Sequence, residues 1–217
     1  SRQTKTFRYL GRVGPPESLQ EGRFLHALAT ELFPITRSIT GDGVRQTLAR
    51  IHSLLPELRI HEVPTGTPVL DWTVPDEWNV TDAFVEGPDG TRVIDFQRNN
   101  VHLVSYSTPV DVTMSLSDLR SHLHTDSEHR NAIPYVTSYY NRNWGFCLTA
   151  DESETFRDGD YRAVVDATLA PGSLTYAELV IPGDSDAEVL ISTYVCHPSL
   201  ANNELSGPMV AVGLALW

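Results

Sequence analysis

The chain has 217 residues, 41% of them hydrophobic and 20% charged, with 14 Gly, 14 Pro and 2 Cys. That composition excludes a disordered tail, a collagen-like rod and a coiled coil, and it is enough to bury a sizeable core. The 16 basic and 28 acidic residues give a net charge of −12, which leaves no basic face for a phosphate backbone, so nucleic acid is not an expected partner. No apolar run reaches the roughly 18 residues that span a bilayer, and a membrane is not an expected partner either. The stretch Ser1–Arg8 carries no apolar signal core, and Cys147 and Cys196 are too few for a disulfide framework. A reducing cytoplasm is the expected compartment.

Leu25, Leu28, Ala29, Leu32 and Phe33 fall on one stripe and predict a first helix, which Pro34 ends. A second helix follows Thr40-Gly41-Asp42-Gly43. Val44, Leu48, Ile51 and Leu55 form its buried face, Asp42 is the expected N-cap, and Pro56 closes it. Leu58–Val63 alternates as a strand.

From Pro64 to about Gly172 short β-like runs alternate with turn signals such as Thr65-Gly66-Thr67-Pro68 and Gly87-Pro88-Asp89-Gly90. Strands are predicted at Val69–Val74, Val80–Glu86, Val93–Asp95, Val101–Ser105, Trp144–Leu148 and Tyr161–Ala167. One helix, Leu116–Leu123, interrupts them, with Ser115 as N-cap and Asp118 three residues on.

After Gly172 strands are predicted at Leu174–Ile181 and Glu188–Val195. The second is nearly continuous in apolar or β-branched residues, as for a strand buried on both faces. The loop Cys196–Leu205 leads into a last helix, Ser206–Trp217, with Pro208 in its first turn. That helix is apolar all round and needs cover. The expectation is that the natural protein continues past Trp217 and supplies it; the alternatives are that the helix docks as a terminal element or lies in an oligomer interface. The expected architecture is an α/β domain from residues 1–63 and 173–217 with a β-rich insertion at 64–172.

The predicted strand delivers His197 at its carboxyl end, the edge where open α/β sheets bind ligands. Asn203 and Glu204 follow just before the helix start, and Gly207 allows that helix to pack closely on the strand. Histidine and carboxylate together make a divalent-metal constellation. By themselves they serve equally as a structural histidine and a helix-capping turn. Cys196 is read as core, because strand neighbours face opposite sides. Ser206 lacks the glycine pattern of a nucleophile elbow. Arg37 and Arg98 could each grip a carboxylate through two N–H groups, or pair with one of the many acids. Asp71, Trp72, Asp76, Glu77 and Trp78 form either a staple between the two parts or a substrate-facing wall. Tyr135, Tyr139, Tyr140 and Trp144 form either a ligand cleft or sheet-face packing.

The string Cys196-His197-Pro198-Ser199-Leu200-Ala201-Asn202-Asn203-Glu204-Leu205-Ser206-Gly207-Pro208 resembles the first metal-binding motif of a bacterial aminopeptidase-like family. That family is part of the zinc-dependent exopeptidase superfamily, with leucyl aminopeptidases and glutaminyl cyclases among its members. Leu32–Val44, Thr65–Asn79, Val104–Val110, Ile133–Tyr140 and Trp144–Cys147 resemble further signatures of the family, so the likeness covers nearly all of residues 20–217.

The resemblance implies part of a three-layer aminopeptidase-like domain carrying an inserted domain. It implies a metal-dependent hydrolase acting on an amide or peptide bond of a small substrate. His197 matches the first zinc ligand. Asn203 falls where relatives have the aspartate that bridges two zinc ions, and Glu204 is the carboxylate that could take over. A neutral amide adds no charge to hold two cations about 3.5–4 Å apart, so one zinc is expected. Arg37, Tyr139, Tyr140 and Trp144 are the expected substrate-binding residues. The general base and later ligands are expected beyond Trp217, so no catalytic residue is assigned and this piece is expected to be inactive alone. The alternative class is a catalytically silent scaffold that binds a small molecule or protein partner; a biosynthetic step on a small metabolite is a third reading.

Overall fold

The leucine stripe folds as α1, Ser18–Leu32, in a computed structural model that describes residues 18–217. The polar stretch Ser1–Arg8 lies outside the described residues. α2 spans Asp42–Leu54 and buries Val44, Leu48 and Ile51. Its N-cap is Gly41, at φ 92°, and not the predicted Asp42. A Cβ at Gly41 would collide with the Trp78 carbonyl oxygen. The Asp42 N–H, which a cap side chain would leave to water, is instead taken by Asn79 Oδ1 at 2.7 Å.

β1, Arg59–Pro64, leads out of this helical part. The predicted strand Val69–Val74 is a tight hairpin instead, β2 (Pro68–Val69) against β3 (Trp72–Thr73), with Leu70 in the left-handed region at φ 54°. β4 (Glu77–Glu86), β5 (Arg92–Asp95), β6 (Val110–Ser115) and a later strand make a four-stranded sheet. The predicted strand Val101–Ser105 begins as a 3-10 turn, Asn100–His102, because Asn99 Oδ1 accepts the Val101 N–H at 3.1 Å and diverts the backbone.

Ser115 caps α3, Leu116–Leu119, by accepting the Asp118 N–H, and one further 3-10 turn reaches His122. β7 (Leu123–His124) and β8 (Phe146–Cys147) pair in parallel. α4, Ala150–Glu154, opens with a capping box between Thr149 and Glu152. β9, Asp160–Ala170, completes the antiparallel sheet in the order β5-β4-β9-β6. Trp78, Val85, Ile94, Phe146, Tyr161 and Val165 are buried at its core. Each such side chain contributes about 1.5–3 kcal/mol when fully buried.

The chain returns on β10, Ser173–Glu178, antiparallel to β1 with Pro64 opposite Ser173. The chain between them leaves and returns through this two-stranded stem. A second core joins α1, α2 and α5 (Ser206–Leu216) through Leu28, Leu32, Ile51, Leu205, Met209 and Val212.

The predicted strand Glu188–Val195 does not form. It has no hydrogen-bonded neighbour among the described residues, and Val189 and Leu190 are 91% and 90% exposed. A run of strand-forming side chains becomes a strand only when a ladder satisfies its backbone. α5 likewise turns Met209 and Val212 inward but leaves Val210, Leu214 and Trp217 exposed. The result is a mixed α/β molecule with small sheets. Among the described residues, no helix is long and apolar enough to cross a membrane.

Candidate functional site

Pro34 ends α1 and frees the carbonyls of its last turn. Those carbonyls become the anchor points of a loop far along the chain. Ser199 Oγ donates to Phe33 O at 2.8 Å. Asn100 Nδ2 donates to Pro34 O at 3.3 Å, while Asn100 Oδ1 accepts the Ser199 N–H at 3.1 Å. Arg37 donates through Nη1 to Leu32 O at 2.6 Å and through Nε to His197 O at 3.0 Å. The loop carrying His197 is therefore held at three points, and two of the residues that hold it, Asn100 and Arg37, are themselves tied to the end of α1.

Ala201–Leu205 forms a π-helical turn that runs directly into α5. Wider turns of this kind recur at functional sites, because they re-aim a side chain within a helix. Here the turn brings Glu204 fully inside, at 0% exposure, and leaves Asn203 outside. Gly207 follows; a Cβ there would clash with Thr193 Oγ1, so α5 packs directly on the chain that enters the site.

His197 Nδ1 hydrogen-bonds Asn203 Oδ1 at 2.9 Å. The same nitrogen lies 3.1 Å from Glu204 Oε2, but without hydrogen-bond geometry, and among the described residues no side chain hydrogen-bonds either Glu204 oxygen; the main-chain N–H groups of Cys196 and His197 are the donors near it. Cys196, His197 and Glu204 offer one sulfur, one nitrogen and one oxygen donor within 4.8 Å of one another. Burial pushes the Glu204 carboxyl up, against the pull of His197 and Arg37. Burial pushes the Cys196 thiol up to about 12, and Glu204 adds to the shift. Burial lowers the Arg37 guanidinium, and Glu204 opposes it.

Of the residues singled out from sequence, His197, Asn203 and Glu204 meet here. Arg37 lies beneath them, fully buried, with Nε 3.9 Å from Glu204 Oε1. It pairs with an acid of its own chain. The alternation that placed Cys196 opposite His197 does not operate, because the segment is not a regular strand and the thiol lies beside the carboxylate.

Tyr139 sits one ring away: its edge packs on Tyr106 and its hydroxyl is 3.3 Å from that of Tyr135. Tyr135 is the ring that reaches His197, at 4.8 Å, with Tyr194 on another side at 5.7 Å. Tyr194 was hidden in sequence within the apolar run of the predicted strand. Tyr140 is 78% exposed. Trp144 stacks on His122 at 3.7 Å, within the β-rich part. Trp78 acts as a staple: its N–H donates to Thr40 Oγ1 at 3.1 Å and its ring N–H to Ser107 O at 2.8 Å.

Residues 26–217 match the model of a family described as a domain of unknown function, DUF4910. A Clostridium acetobutylicum protein named "Putative polysaccharide biosynthesis protein with aminopeptidase-like domain" is 51% identical over 190 residues, which cover 88% of this chain and 44% of that protein. The crystal structure of a "putative peptidase" from Clostridium acetobutylicum is 49% identical, with a TM-score of 0.88, and the match covers 92% of this chain and 47% of that one. The chain thus spans less than half the length of these two relatives.

Proposed function

The chain belongs to the DUF4910 family, and from that premise we propose that it forms the metal-binding corner of a peptidase-like hydrolase acting on an amide or peptide bond of a small substrate. The names of its relatives support a peptidase-like hydrolase. The observation that carries metal dependence is Glu204: a fully buried carboxylate that no side chain hydrogen-bonds among the described residues, with only the main chain of Cys196 and His197 close to it, beside an imidazole and a thiol. A buried carboxylate whose ion pairs are loose keeps much of its desolvation cost, and a bound cation offsets that cost directly.

The donor set fits zinc, which takes histidine nitrogen, carboxylate oxygen and cysteine sulfur. His197 and Glu204 would hold the ion, with Cys196 flanking it and Asn203, now bonded to the imidazole nitrogen that faces Glu204, giving up that bond. With a neutral amide at Asn203, a single ion is the better fit. Bound zinc supplies a Lewis acid that polarises a carbonyl and brings the pKa of its water to about 7. Tyr135 and Tyr194 pack their rings against the imidazole on two sides. A hollow of about 160 Å³ beside Asp76, Tyr139, Tyr140 and Arg142 offers aromatic and polar groups to the part of the substrate remote from the bond. The relative's printed name directs the first trials to N-acylated saccharides alongside aminoacyl amides.

The test is zinc content and affinity for the wild type and His197→Ala, followed by hydrolysis assays on those two substrate classes. The expected result is about one zinc per chain in the wild type and none in the variant. Absence of zinc from both overturns the metal reading and leaves the non-catalytic scaffold.

A further inference from the structure

Arg37 is fully buried, yet its donors are only partly used. Nη1 and Nε go to the Leu32 and His197 carbonyls, and Nη2 has no partner among the described residues. A guanidinium is a permanent cation with five donors, and burying one with a donor idle is costly. A side chain kept only to brace two carbonyls would not need that charge. What faces the charge is Glu204, with Oε1 3.9 Å from Nε and Oε2 turned to His197 Nδ1 at 3.1 Å. One carboxylate therefore lies between a fixed cation and the imidazole.

We infer that Arg37 is the positioning residue of this site. It draws one oxygen of Glu204 toward itself, presents the other beside His197, and clamps the His197 main chain at the same time. The inference rests on the metal reading above.

The experiment compares the protein with its Arg37→Met and Arg37→Lys variants, titrated with zinc against a chromophoric chelator and with Co²⁺ followed by its visible spectrum. Loss of a partner that orients a metal ligand weakens binding by about 10–100-fold, and that loss is expected for Arg37→Met, with an altered Co²⁺ spectrum. Arg37→Lys keeps the charge and is expected to recover most of the affinity. Wild-type affinity in Arg37→Met overturns the inference, and so do equal losses in both variants, which would mark a merely structural arginine. If His197→Ala and Glu204→Gln abolish zinc binding while Arg37→Met does not, only the role of Arg37 falls. If the wild type binds no zinc, both readings fall. Should Arg37→Met destabilise the protein too far for a zinc titration while leaving a measurable unfolding transition, the double variant Arg37→Met/Glu204→Gln decides. Relief of the stranded carboxylate predicts a higher urea midpoint than for Arg37→Met alone, and an equal midpoint overturns the coupling.

Discussion

Arg45 on α2 and Glu77 at the start of β4 form a two-pronged ion pair, with Nη1–Oε1 at 2.8 Å and Nη2–Oε2 at 2.5 Å. Arg45 Nε also reaches Glu62 on β1 at 2.9 Å, and Glu77 Oε2 accepts the Ser173 N–H of β10 at 3.0 Å. One guanidinium thereby ties the helical core, both strands of the stem and the first long strand of the four-stranded sheet. Bidentate pairs with satisfied neighbours are stronger than ordinary surface ion pairs.

The pair makes stability depend on pH. The bond to Arg45 is the main cause that holds the Glu77 carboxyl at about 2, against an ordinary 4.5. A carboxyl depressed by folding contributes stability above its unfolded value and loses it as pH falls toward the folded one. The wild-type urea midpoint should therefore decline from about pH 5 to pH 2. Glu77→Gln should be less stable by about 1–2 kcal/mol at pH 6 and converge on the wild type near pH 2. Parallel profiles for the two proteins would show that Glu77 is not the group responsible.

Gly207 should tolerate no side chain while Thr193 is in place. Alanine favours a helix over glycine by about 1 kcal/mol, yet Gly207→Ala should destabilise by about 1–3 kcal/mol through overpacking, because its Cβ would meet Thr193 Oγ1. Adding Thr193→Ala removes that oxygen and should recover most of the loss. Thermal melts of the two variants decide; a single variant as stable as the wild type counts against the close approach.

Asn100 latches the site loop to the end of α1. Asn100→Ala removes its bonds to Pro34 O, Thr36 Oγ1 and the Ser199 N–H. The expected cost is about 1–3 kcal/mol in denaturant melts, together with weaker zinc binding, since the freed segment carries His197. Unchanged zinc affinity in a destabilised variant would separate the latch from the site.

Both thiols should be unreactive in the folded protein. Burial pushes Cys147 and Cys196 each up to about 12, so little thiolate exists at pH 8. A thiol reagent should modify both quickly in urea and slowly in buffer. Rapid native modification of Cys196 would show that its surroundings are wetter than described.

α1 and α2 were legible in sequence because a helix stripe is local information: Leu28, Leu32, Val44 and Ile51 fall on the buried faces as their spacing requires. Ser115 was legible as a cap for the same reason. β6 was missed although Val110, Val112 and Met114 alternate, because it is short and ends in that cap. Asn99 misled the reading of Val101–Ser105, since one side-chain bond outweighed β-branched propensity. At the site, His197, Asn203 and Glu204 lie close in sequence and could be read together. Arg37 could not be given its partner, because burial against Glu204 is decided by packing between distant segments.

The uncovered run from Val189 to Ile191 links this chain's melting behaviour to its company. An occupant that pairs with those residues as an ordered strand, and that also touches the folded surface beside them, would engage the native form in preference to the denatured one. By mass action each tenfold rise in such an occupant, once well above its dissociation constant, deepens the native well by about 1.4 kcal/mol. Robustness here belongs to the mixture as much as to the polypeptide.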